Sequence, residues 1–284
     1  MTTELDGLYF PEALRWHEGE LWFSDMFDSR VVRWSPGKTA ETVIDADSGC
    51  PTVPGGLGWL TPDHDPMGRG ALLIVDCEGR RILALRDGQL SVHADLGDHF
   101  AFPANDMHVD SDGTAWVGSY GFDPEGEERV PSALVGVDPT GQMRGTSQRF
   151  VFPNGCERDQ AGRLVVAETF ADCVSLWDES TDSRDVIALA PGSGPDGISI
   201  AADGVIYVAL AFARQLVAVS PIDTTARVVY SPPAITVGPS AGPLTCYDCA
   251  VEPSGRRIAV ALASADEELA ERVPTGRIVL LDLP

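Results

Sequence analysis

Glu12, Asn105, Asn154 and Asp196 all carry side-chain oxygens and share one register of the chain. Counting back eight residues from a hairpin-turn glycine reaches Asn105 from Gly113, Asn154 from Gly162, Asp196 from Gly204 and Tyr247 from Gly255. Counting back seven from Gly19 reaches Glu12, and Gly56 falls near the same place in a segment with a longer turn. Taken singly, Asn and Asp beside Pro and Gly are ordinary turn formers. Four oxygen-bearing side chains at one register of a repeat need a common reason. Hard cations such as Ca²⁺ bind carboxylate and amide oxygens, and a protein set short of the usual ~6–8 ligands leaves positions for water and substrate. The pattern therefore points to a site for a divalent cation, Ca²⁺ or another such as Zn²⁺, Mg²⁺ or Mn²⁺, open to a small-molecule substrate.

The elements that position these residues form a repeat. Six segments each have a Pro or Gly head, a short strand, an Asp-Gly type turn, a strongly apolar second strand and a third strand. The second strands read LWFSD, ALLIVD, TAWVGS, RLVVAE, VIYVAL and RIAVALA. Successive heads lie roughly 40–50 residues apart, the period of a four-stranded propeller blade. Helical periodicity is absent over any long stretch, whereas Val, Ile and Trp in alternating patterns abound. The expected fold is all-β, a six-bladed β-propeller with four-stranded blades in one domain over 1–284. The sixth segment offers only three strands before the chain stops, so residues 3–9 are expected to supply the outer strand of the last blade. With the innermost strands starting at one height around a central channel, the register residues form a ring aimed at one axial spot. The stretches 121–132, 231–244 and 264–276 read as rim loops, the last with a helical turn.

Composition narrows the function classes. The formal charge is −23, from 20 basic and 43 acidic residues, which disfavours nucleic acid and anionic membrane surfaces. No apolar run approaches a membrane span and the N-terminus lacks a secretory pattern; a cytoplasmic protein, monomeric or weakly dimeric, is expected. The 6 cysteines are scattered and read as reduced, buried thiols. Several motifs carry less than they promise. GPSAG around Ser240 fits a nucleophile pattern, but its Pro-rich flanks provide neither the strand nor the helix that such an elbow needs. Cys246 and Cys249 have no second pair at zinc spacing. VDSDG at 109–113 is a hairpin turn rather than a calcium loop, and the five histidines show no metal-like grouping; His108 is read as facing away from the channel.

The stretches FPEALRWHEGELWFSDM, PANDMHVDSDGTAWVGSYGFD, FPNGCERDQAGRLVVAETF and PDGISIAADGVIYVA resemble the successive blade signatures of the senescence marker protein (regucalcin) / gluconolactonase family, in that family's order and over essentially the whole chain. The resemblance implies a six-bladed propeller holding a divalent cation, commonly calcium, in its channel. On that pattern Glu12, Asn154 and Asp196 are metal ligands, Asn105 is a fourth ligand or a substrate contact, and Asp196 is also the general base or water-orienting residue, so Asp196 and Asn105 are the candidate catalytic pair. Asp106 resembles a family aspartate that either supports the ligands from behind or contacts the substrate. The family's sugar lactonases carry an arginine two residues before this asparagine, where Pro103 stands here, a departure that points away from a sugar lactone. Phe102, Tyr120 and Tyr247 are candidate apolar walls at the mouth.

The expected activity is metal-dependent hydrolysis of a lactone or similar cyclic ester, as in a gluconolactonase-like enzyme, with a polarised carbonyl and Asp-assisted water attack. The alternatives are hydrolysis of an organophosphate or fluorophosphate, a non-hydrolytic biosynthetic reaction on the same metal site, and a non-catalytic calcium-binding propeller.

Overall fold

In the computed structural model, described for residues 2–283 except 125, 127 and 234–242, the strands form six antiparallel sheets of four. Each blade is a meander from the channel outward. Blade 1 runs through Pro11–His17, Glu20–Asp25, Arg30–Trp34 and Glu41–Ile44. The innermost strands of blades 2 to 6 are Pro54–Leu60, Ala104–Val109, Pro153–Arg158, Pro195–Ile200 and Leu244–Val251. Each packs against the next around the ring, and the sixth packs against the first. The ring closes as expected, with Thr2–Leu8 pairing antiparallel to Gly276–Asp282 as the outer strand of blade 6. The short helix Glu267–Ala270 lies in the stretch where a helical turn was expected.

Burial explains why the second strands are so apolar. Ala71–Asp76, Ala115–Ser119, Leu164–Glu168 and Ile206–Leu210 are buried at every residue, because a neighbouring blade covers each face of the sheet, so alternation disappears. Outer strands such as Ser183–Ala188 and Ala226–Tyr230 are mostly exposed. Tryptophans pack across sheets, with Trp116 edge-on to Trp177 at 5.7 Å and Trp22 edge-on to Trp59 at 5.5 Å. All six cysteines are free and buried.

The turn glycines that mark the register, Gly19, Gly113, Gly162, Gly204 and Gly255, all have φ between +70° and +86°, the left-handed region that glycine enters without a Cβ penalty. Just inward of each hairpin, the innermost strand of every blade departs from regular pairing, between Glu12 and Arg15, Pro54 and Leu57, Ala104 and Met107, Pro153 and Cys156, Pro195 and Ile198, and Cys246 and Asp248. Such bulges re-aim side chains, and here they fall on the ring. Glu12, Gly55, Asn105, Asn154 and Asp196 are each the second residue of their strand. In blade 2 the register thus falls on Gly55 rather than Gly56. Pro54 pairs with Asp76 as Pro11 pairs with Asp25, and the hairpin between Leu60 and Ala71 is long enough to mislead a count from its turn.

Candidate functional site

Carboxylates fix the strands that carry the ring. Asp25, at the end of its strand, accepts hydrogen bonds from the backbone N–H groups of Tyr9 at 2.9 Å and Phe10 at 2.8 Å and is held by Arg30 Nη2 at 2.8 Å, which anchors the chain two residues before Glu12. Glu168 does the same ahead of Asn154, accepting from Val151 N–H at 2.7 Å and pairing with Arg184. Asp172 accepts from the N–H groups of Gly192 at 2.8 Å and Gly194 at 3.0 Å, just ahead of Asp196. A carboxylate that accepts from backbone N–H groups just ahead of a strand fixes where that strand starts, so three of the ring residues stand on preorganised backbone.

One cavity of about 310 Å³ gathers Glu12, Asn105, Asn154, Asp196, Tyr120 and Tyr247. Asn154 and Asp196 are 8% and 7% exposed. The Asn154 amide Nδ2 donates to Thr169 Oγ1 at 3.3 Å, which leaves its Oδ1 as the atom able to accept or ligate. Among the described residues Glu12 Oε2 accepts only from its neighbour's N–H, Ala13, at 3.3 Å. Among the described residues Asp196 accepts no hydrogen bond, and neither Glu12 nor Asp196 pairs with a cation of the protein. The electrostatic consequence is direct. Burial, followed by the negative charges of Asp196, Asp248 and Asp106, raises the Glu12 carboxyl well above its ordinary value; burial, followed by Asp248, Asp106 and Glu267, does the same to Asp196. Burial and the cavity's carboxylates also push the Tyr120 and Tyr247 phenols up, so both rings stay neutral. The Tyr247 hydroxyl donates to the Ser264 carbonyl at 3.1 Å.

A second set of carboxylates lies one residue further along. Arg15 Nη2 donates to both Asp106 oxygens at 2.9 Å and to the Met107 carbonyl at 2.9 Å, and Arg15 Nη1 lies 3.7 Å from Asp248 Oδ2. Asp248 also accepts from Leu14 N–H at 2.5 Å and Cys249 N–H at 2.7 Å. Burial raises its pKa, Arg15 opposes this and Asp106 adds to it, leaving Asp248 at about 7. Gly197 permits this packing, since a Cβ there would stand 1.8 Å from Asp248 Oδ1. Beyond the cluster, the opposite end of the channel opens into a cavity of about 420 Å³ that includes Arg15, His17, Trp59, His108 and Glu157. His108, read as pointing away from the channel, lines that far cavity and bonds Asp110 at 3.1 Å.

Two sequence candidates lie off the near cavity. Asp106 is committed to Arg15, and the Phe102 carbonyl accepts from Ser119 Oγ at 3.2 Å while its ring does not line the pocket. Ser240 and much of the 231–244 loop lie outside the described residues. Sequence reading missed Arg15 and Asp248, together with Glu78, Glu267 and Glu271 on the cavity wall and the rings of Phe10, Phe152, Phe170 and Phe212. The only available signal was that Asp248 follows a ring residue as Asp106 does.

The donor set fits a hard cation in chemistry, two carboxylates and two amides with few competing protein partners. Among the described residues no three His, Cys, Asp or Glu groups converge as a metal cluster, so amide oxygens would have to complete the set. No helix among the described residues is long and apolar enough to cross a membrane.

Comparison with known proteins gives three kinds of result. The family model for the SMP-30/gluconolactonase/LRE-like region matches residues 10–241. No curated protein matches. Among solved structures, a luciferin-regenerating enzyme superposes with a TM-score of 0.72 at 18% identity, covering 98% of this chain and 92% of that one. A gluconolactonase from Xanthomonas campestris gives 0.71 at 18%, with coverages of 99% and 89%. The calcium-binding protein regucalcin from Agrobacterium tumefaciens gives 0.71 at 15%, with 99% and 96%. At these identities the superpositions establish the shared propeller fold.

Proposed function

The chain belongs to the SMP-30/gluconolactonase/LRE-like family, and from that premise we propose that it is a divalent-cation-dependent hydrolase of a small-molecule lactone or similar cyclic ester. The observation that carries this reading is the pairing of Glu12 and Asp196 in one cavity with no protein cation among the described residues to neutralise them, flanked by the amides of Asn105 and Asn154. Two buried like charges are costly alone, and a hard divalent cation is the partner that fits oxygen donors of this kind.

Glu12, Asn154, Asp196 and Asn105 are the residues that would hold the cation, which when bound supplies Lewis acidity toward a carbonyl oxygen. Asp196 accepts a proton from a water whose oxygen attacks the carbonyl carbon. The bond from that carbon to the ring oxygen then breaks, the ring oxygen takes the proton back from Asp196, and a hydroxy acid leaves. Asn105, partly exposed on the same wall, orients the ester through its amide N–H. The aromatic walls limit access of bulk water, which strengthens each polar contact at the reacting centre.

The test is proton release from a small aliphatic lactone, with the purified protein treated with chelator and then resupplied with Ca²⁺. Turnover should vanish on chelation and return with the cation. Turnover that persists unchanged in excess chelator would remove the cation from the reading.

A further inference from the structure

The cavity over the four oxygen donors has an unusual wall. Phe10, Phe27, Phe152, Phe170 and Phe212 line it, half of the 10 phenylalanines in the chain. They form two continuous groups. On one side Phe10 packs on Phe27 at 4.5 Å and on Tyr247 at 4.3 Å. On the other, Tyr120 stacks on Phe152 at 4.4 Å, Phe152 meets Phe170 edge-on at 5.2 Å, and Phe170 meets Phe212 at 5.5 Å. The Phe212 ring is 52% exposed at the rim, against Gly194, whose φ of +58° and missing Cβ make room for the ring. Core packing does not account for a ring left in solvent at the end of an aromatic row.

The charged groups of the wall, among the described residues, are all acidic. Glu78, Glu267 and Glu271 line the same cavity, and among the described residues no Lys, Arg or His does. Arg129 lies 4.4 Å over Phe170 and 5.0 Å over Phe122, bound to ring faces rather than facing the oxygen donors. A phosphorylated or carboxylated substrate would enter against at least five carboxylates with no compensating cation on the wall. A polyhydroxylated ring held between the two aromatic groups would place hydroxyls against phenyl faces that cannot hydrogen-bond, and each buried hydroxyl that does not reach a wall carboxylate costs about 1–3 kcal/mol. A flat apolar ring would instead stack between the two aromatic groups, in the offset and edge-on contacts that such side chains favour.

We infer that the substrate is an uncharged lactone fused to or bearing an aryl ring, recognised by the Tyr120–Phe152–Phe170–Phe212 row on one side and the Phe10–Phe27–Tyr247 group on the other. The inference rests on the lactonase reading above and adds to it the substrate class. The carbonyl sits over the oxygen donors and the aryl ring extends toward Phe212 at the rim.

Two readouts separate this inference from the reading it rests on. The first is kcat/KM with Ca²⁺ for a benzo-fused lactone, an aliphatic lactone of equal ring size and an aldonolactone. The second is calorimetric binding of a benzo-fused cyclic ketone, which cannot be hydrolysed, against a plain cyclic ketone. The benzo-fused lactone should exceed the others by about tenfold or more, the area of one phenyl ring being worth at least that. Phe170→Ala and, independently, the rim variant Phe212→Ala should each shrink the aryl-over-aliphatic ratio several-fold. Efficient hydrolysis of the aldonolactone, or an aryl preference untouched in both variants, would overturn the inference while leaving the hydrolase intact. Tight binding of the aryl ketone without turnover of any lactone would support the aromatic selection and remove the hydrolase. Neither binding nor turnover would overturn both.

Discussion

Glu12 and Asp196 face one cavity of the channel, while Asp106 and Asp248, each one residue past a ring position, surround Arg15 between the two cavities. The two pairs are made of the same groups and carried by the same kind of bulged strand, yet they solve the problem of charge drawn out of water in opposite ways. At the lower level the protein supplies its own guanidinium, whose pKa rises because Asp106 and Asp248 outweigh the cost of burial, and adds backbone donors from Leu14 and Cys249. At the upper level, among the described residues, it supplies no cation and a single backbone donor, the Ala13 N–H to Glu12. The lower cluster therefore reads as architecture, tying blades 1, 3 and 6 across the channel, and the upper pair as a site whose counter-charge comes from outside the chain. Proximity joins the two, because Asp106 and Asp248 also raise Glu12 and Asp196.

The contrast can be broken one residue at a time. Asp196→Asn should lower turnover by about 10³-fold, the middle of the range for losing a general base, in steady-state assays with saturating Ca²⁺, and should leave the chelator-treated protein at least as stable as the parent, since it removes one of two repelling charges. Arg15→Met should do the reverse. Leaving Asp106 and Asp248 buried without their partner costs about 3–5 kcal/mol, read as a lower urea midpoint, and activity per folded molecule should fall less than stability suggests. Glu12→Gln should weaken Ca²⁺ affinity on the order of tenfold or more through the lost ligand charge, by calorimetric titration, with kcat recovering at high Ca²⁺.

The smallest effect is in pH. Glu12 and Asp196 have folded-state pKa values above their ordinary 4.5 and 3.8, and Asp248 stands at about 7. The folded protein therefore retains protons that the unfolded chain has released, and this contribution to stability is present below the ordinary values and lost as pH rises through the raised ones. In chelator, Tm should decline between about pH 4 and pH 7–8 on this account, and Ca²⁺ should flatten the decline by stabilising the ionised pair. A Tm that rises over the same window in chelator would contradict the assigned shifts.

The six blades and their closure by the N-terminal strand were legible because turn glycines, apolar second strands and a fixed period are local signals. The ring was legible for the same reason, since a residue eight before a left-handed glycine is fixed by one hairpin. The displacement from Gly56 to Gly55 shows the limit, where a longer hairpin breaks the count. Arg15 could not be read as the centre of a charge cluster, because Asp106 lies 91 residues away and only the closed ring brings blades 1, 3 and 6 together. The Phe152–Phe170–Phe212 row was hidden because its residues sit on loops at strand ends, where no period distinguishes a wall from packing. Asp106 shows the converse, a residue whose motif suggests substrate contact but whose geometry commits it to Arg15.

The most direct test of the upper site is a calorimetric titration of Ca²⁺ into chelator-stripped protein at neutral pH, run beside the Glu12→Gln/Asp196→Asn double variant with its fold verified by circular dichroism. One binding event in the parent, absent from the double variant, is the predicted result. Identical binding in both proteins, or none in the parent, would contradict the assignment of Glu12 and Asp196 as the pair that an external cation completes.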